Sequence, residues 1–80
     1  MSTLHIGNII REVIADKRLT QVEVSSMISM TKQGFNGVLN KKSLNTDVID
    51  RISKALQVNL YRVIAEKNSN VQVLVNFKRL

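Results

Sequence analysis

The sequence contains no cysteine and only one histidine, His5. Without thiols there is neither a disulfide framework nor a thiolate metal site. A single histidine cannot assemble an imidazole metal cluster or a Ser-His-Asp arrangement within one chain. Three glycines are present, and none belongs to a glycine-rich phosphate loop. The acidic residues Glu12, Asp16, Asp47, Asp50 and Glu66 are scattered at helical spacing rather than gathered as an acid/base or metal-binding set. These absences predict a protein that is not an enzyme and uses no cofactor. No stretch approaches the roughly 20 apolar residues of a membrane span, and the amino-terminal end lacks a long apolar run. The expectation is a soluble, cytoplasmic protein that does not engage a membrane.

Negative charge is also scarce. Twelve Lys and Arg face six Asp and Glu, a net charge of +6, and from Val24 to Thr46 there is no acidic residue at all. Such a balance points to a nucleic acid or another acidic partner. On its own a basic run is most simply a solvated face, so the pattern around it has to decide. At 80 residues the chain is one small domain with a modest core, which a further buried surface such as a dimer contact would help.

What is present is helical periodicity. Ile6, Ile9, Ile10, Val13 and Ile14 follow the i, i+3, i+4, i+7, i+8 spacing of an amphipathic helix, with Ser2 or Thr3 as its cap. Gly7 costs little if it falls in the first turn. Arg11, Lys17 and Arg18 lie on or after the outer side and read as solvated. Thr20 followed by Glu23 is a capping box, so a second helix begins near Gln21, with Val24, Met27 and Ile28 as its inner stripe. Ser29, Met30 and Thr31 interrupt that pattern, because short hydroxylated side chains compete for backbone hydrogen bonds. Thr31 then caps a third helix in which Phe35, Val38 and Leu39 face inward. Asn45 or Thr46 caps a fourth, with Asp47 placed for the helix dipole and Val48, Ile49, Ile52, Ala55 and Leu56 inward. Asn59 caps a short fifth helix with Leu60, Val63 and Ile64 inside and Tyr61 partly buried, its hydroxyl wet. Five short helices with facing apolar stripes predict an all-α, compact five-helix bundle.

The second and third helices, joined by a tight turn, have the layout of a helix-turn-helix. If Phe35, Val38 and Leu39 are inside, Lys32, Gln33, Asn36 and Asn40 face outward. Gln and Asn can pair bidentately with adenine and Lys can donate to guanine acceptors, so these residue types suit the major groove of double-stranded DNA. The acid-free basic run coincides with this unit, which favours a ligand surface over a merely solvated one.

From Asn68 the pattern changes. Val71, Val73, Val75 and Phe77 alternate with Gln72, Leu74, Asn76 and Lys78 in a strand-like period of two. A lone strand leaves its backbone unpaired, so residues 68–80 are expected to be a dimerisation strand appended to a domain of residues 1–67, pairing with the same strand of a second copy. Val71, Leu74 and Val75 also fit a helical face, which leaves a helix fragment or a loose tail as the alternatives.

The run from about Ile6 to Ile64 resembles the five-helix, lambda-repressor-like DNA-binding domain of phage-repressor and Cro-type regulators, the XRE-like family. The matching pieces are Leu19-Thr20-Gln21-x-Glu23-Val24-Ser25, the turn Ile28-Ser29-Met30-Thr31, the helix core Phe35 and Val38, and Ile52-Ser53-Lys54-Ala55-Leu56-Gln57-Val58-Asn59. The resemblance implies that Gln21 anchors a backbone phosphate, that Lys32, Gln33 and Asn36 meet base edges, and that Asn40, Lys41 and Lys42 grip phosphate beyond the reading helix. Two departures stand out. Ser29 replaces the family's usual turn glycine, so either it adopts a left-handed conformation or the turn differs locally. Gly37 stands where the family often places a base-reading side chain. With Gly34 it weakens the reading helix by about 2 kcal/mol relative to Ala, offset by burial of Phe35 and Val38 at about 1.5 to 3 kcal/mol each. The helix is therefore expected to persist, and yet to be loose until DNA is bound.

The resulting expectation is a sequence-specific DNA-binding transcriptional regulator, a repressor acting as a homodimer on a pseudo-palindromic site. An antitoxin or adaptor that uses the carboxy-terminal strand to join a partner protein is the alternative.

Overall fold

A computed structural model describes residues 4–67 as five helices, with no strand among the described residues: α1 (Ile6–Asp16), α2 (Gln21–Met27), α3 (Lys32–Leu39), α4 (Thr46–Leu56) and α5 (Leu60–Lys67). The dimerisation segment expected at Val71, Val73, Val75 and Phe77 lies outside the described residues. No described helix is long and apolar enough to cross a membrane.

Each helix starts where a side chain can serve an otherwise orphaned backbone donor. The Thr20 hydroxyl accepts from the Glu23 amide at 3.1 Å while the Glu23 carboxylate accepts from the Thr20 amide at 2.8 Å, completing the capping box. The Thr31 hydroxyl accepts from the Gly34 amide at 2.9 Å, and Asn45, rather than Thr46, accepts from the Val48 amide at 3.0 Å. For α1 the cap is neither Ser2 nor Thr3 but His5, whose Nδ1 accepts from the Asn8 amide at 3.1 Å. A neutral imidazole nitrogen offers the same lone pair that a hydroxyl would.

The helix ends reverse the usual placement of glycine. Arg18, Ser29 and Gln57, which follow or close α1, α2 and α4, all have φ near +55 to +60° (60, 59 and 54°). Ser29 thus takes the left-handed conformation that glycine normally supplies. The next residues in line, Leu19, Met30 and Val58, donate their amides back to the carbonyls of Ile14, Ser25 and Ser53 at 2.8–3.1 Å, and each packs against the core. This is the Schellman arrangement, three times over and without glycine.

The core is formed by Ile10, Val13 and Ile14 of α1, Val24 and Ile28 at α2, Phe35, Val38 and Leu39 of α3, Ile49, Ile52 and Leu56 of α4, and Leu60. Met27 does not join the inner stripe: it is 52% exposed. Val24, Ser25 and Ile28 set the buried face of this two-turn helix, and that face rotates Met27 to the rim. Ser25 is tolerated inside because its hydroxyl donates to the Val22 carbonyl at 2.8 Å. Tyr61 is also more exposed than its reading, at 44%, and its hydroxyl is held by Asp50 Oδ1 at 3.0 Å. Loss of hydration and then the neighbouring Asp50 carboxylate raise its pKa above the ordinary phenol value.

Candidate nucleic-acid interface

The orientation of α3 follows from its burial pattern. Phe35 is 1% and Leu39 0% exposed, and with Val38 they fix one side of the helix against α1 and α2. At 3.6 residues per turn Gln33 and Gly37 then lie farthest from the core, with Asn36 beside them. Lys32, Gln33 and Asn36 are all exposed along this outer face; Asn40, Lys41 and Lys42, just past the helix, are exposed too, and Gln21 at the start of α2 is half-buried. Neither α3 nor the loop after it carries an acidic residue. Six of the seven polar residues expected at the interface therefore lie on or directly after α3, on one continuous stretch of chain, and the seventh, Gln21, is the first residue of α2.

Glycine divides into two kinds here. Gly7 is buried, and a Cβ placed on it would stand 1.9 Å from the Leu39 carbonyl oxygen, so α1 approaches the end of α3 as closely as backbone allows. Gly7 is thus a packing requirement rather than a tolerated residue of a first turn. A Cβ on Gly37, by contrast, would meet nothing within 4 Å.

The chain after α3 is fastened to α1. The Ile6 amide donates to the Lys42 carbonyl at 2.9 Å and the Gly7 amide to the Lys41 carbonyl at 3.1 Å. These are free donors of the first turn of α1. The Arg11 guanidinium, which reads in sequence as solvated, is instead engaged. Its Nη1 donates to the Leu39 carbonyl at 3.0 Å and to Asn8 Oδ1 at 2.8 Å, and its Nη2 donates to Asn40 Oδ1 at 2.8 Å. Arg51 of α4 plays a similar part at the end of α2, donating to the Ile28 carbonyl. Each helix of the helix-turn-helix thus has a terminal carbonyl held by an arginine from outside the motif, where a cation also complements the helix dipole. Sequence reading misses both arginines because these partners lie 28 and 23 residues away, and no local spacing encodes such a pairing.

The remaining ion pairs lie elsewhere. Lys67 meets Glu12 at 2.7 Å and Arg62 meets Glu66 at 3.5 Å, both exposed. Exposed pairs of this kind contribute little, but the Glu12 partner raises the Lys67 pKa above its ordinary value. They consume positive charge on α5 and leave that of Lys32, Lys41 and Lys42 outside any ion pair among the described residues.

Compared with known proteins, residues 9–64 match the model of the Cro/C1-type HTH DNA-binding domain, a span that takes in most of α1 and α5 and all of the helices between. No curated protein and no solved structure matches the chain.

Proposed function

The chain belongs to the Cro/C1-type helix-turn-helix DNA-binding family, which makes it a DNA-binding regulator of transcription, and we propose that it is a sequence-specific repressor acting as a homodimer in the cytoplasm. The observation that carries this reading is the outward, acid-free face of α3, where Lys32, Gln33 and Asn36 are exposed over a helix anchored by Phe35, Val38 and Leu39. Lys32, Gln33 and Asn36 supply base preference in the major groove. Gln21, Asn40, Lys41 and Lys42 hold backbone phosphates, which set register and provide much of the affinity. Two copies present their α3 helices to successive major grooves about 34 Å apart on a pseudo-palindromic site. The period-two segment Val71, Val73, Val75 and Phe77 joins the copies.

Selection from random duplex DNA followed by two substitutions tests this assignment. Gln33→Ala is expected to relax selectivity at one base position, an effect on the order of 1–3 kcal/mol. Lys42→Ala is expected to weaken all sequences about equally and to lower the salt dependence of binding by about one unit of slope. Equal losses on every sequence for both variants, or no enriched sequence in the selection, contradict it.

A further inference from the structure

The Asn40 side chain, proposed above to hold a phosphate, has an oxygen that would repel one. The amide carries an acceptor on one side and two donors on the other, and an exposed asparagine turns either side to its surroundings. Here the choice is made by Arg11. A guanidinium has five donors and no acceptor, so only the Asn40 oxygen can face it, as the 2.8 Å contact to Oδ1 records. The Nδ2 hydrogens are left pointing away from α1. The same fork holds the Leu39 carbonyl at 3.0 Å and is itself braced by Asn8 Oδ1 at 2.8 Å. The carbonyls of Lys41 and Lys42 are drawn toward α1 by the amides of Gly7 and Ile6. Three backbone oxygens and one side-chain oxygen of residues 39–42, all repulsive to a phosphate, are therefore turned inward.

We propose that Arg11 is a positioning residue for DNA backbone recognition: it occupies Leu39 O and Asn40 Oδ1 so that neither oxygen faces a phosphate and the Asn40 Nδ2 donors do. This rests on the DNA-binding reading and assigns the work to a side chain on α1 that does not itself touch the DNA. Arg11 acts through Asn40, and its fork geometry matters as much as its charge.

A double-mutant cycle on the duplex recovered by selection tests it. Arg11→Met and Asn40→Ala are each expected to weaken binding about tenfold, and the double variant no more than either alone, because the two act as one unit. Arg11→Lys, which keeps the charge and loses the fork, is expected to behave like Arg11→Met, and the salt slope to stay unchanged in all Arg11 variants. Additive losses, rescue by Arg11→Lys, or a slope lowered by about one unit overturn the proposal, the last by making Arg11 a direct phosphate contact. Nuclear magnetic resonance of the wild-type protein keeps the test open should a variant fail to fold. On adding duplex the Asn40 Nδ2 protons are expected to shift and the Arg11 guanidinium protons to hold still; the opposite pattern overturns it. Failure of the DNA reading itself has a separate signature, namely a wild-type protein with no duplex affinity.

Discussion

Gly7 is a residue whose whole importance is what it lacks. A methyl group there would stand 1.9 Å from the Leu39 carbonyl oxygen, a backbone atom that cannot swing aside. Gly7→Ala is therefore expected to destabilise the fold by about 1–3 kcal/mol through overpacking, although alanine is the better helix former. Urea denaturation reads the loss, and an unchanged midpoint would mean that α1 and α3 part without cost. The sequence shows Gly7 near a helix start and nothing more, because the atom it makes room for is 32 positions away and belongs to the backbone, which no residue pattern describes. The cap of α1 is illegible for a different reason: histidine is an uncommon cap, and the nearby hydroxyls of Ser2 and Thr3 carry the stronger local signal.

At the scale of elements, glycine and the left-handed backbone have exchanged places. Gly34 and Gly37 sit inside α3, where neither has a positive φ, while Ser29 and Gln57 hold φ of 59 and 54° at helix ends. Gly37→Ala, placed in open space, is expected to stabilise the protein by about 0.5–1 kcal/mol, and Ser29→Gly by a similar amount through relief of the left-handed backbone. Thermal melts check both, since about 1 kcal/mol moves the midpoint of a domain this size by roughly 4–8 °C. Amide exchange across Gln33 to Leu39 should slow in Gly37→Ala, and slow in the parent on binding DNA; equal rates free and bound would show that α3 is not loose. The helices themselves were readable because their signals are local. Thr20 with Glu23, Thr31 and Asn45 each act within three residues, and the stripes of α1, α3 and α4 recur at one helical period. The exposure of Met27 is not legible in the sequence, because α2 is too short for periodicity to fix its buried face and an interior serine, Ser25, completes that face.

For the whole molecule, the +6 charge is unevenly spread. Glu12, Asp16 and Glu66 lie on α1 and α5, Asp47 and Asp50 on α4 and Glu23 on α2, while α3 and residues 40–45 carry basic charge alone. A copy of this molecule is thus polarised toward a polyanion, and pairing two copies would double that bias while extending the small core. If the proposed dimer forms, deleting residues 70–80 is expected to convert it to a monomer by sedimentation and to weaken binding to a two-half-site duplex far more than to a single half-site. An unchanged mass would remove the strand-pairing scheme. The outward face of α3 was legible from residues 31–40 alone, whereas the fastening of its far end was not.

That fastening means the reading unit cannot be lifted out as a cassette. Residues 19–42 transplanted onto another scaffold would arrive without the arginines on α1 and α4 that close the ends of both helices, and without the two amides that hold the chain beyond Leu39. A graft that kept both helix ends closed would have to bring along Ile6, Gly7, Arg11 and Arg51, four positions outside the proposed base-reading face.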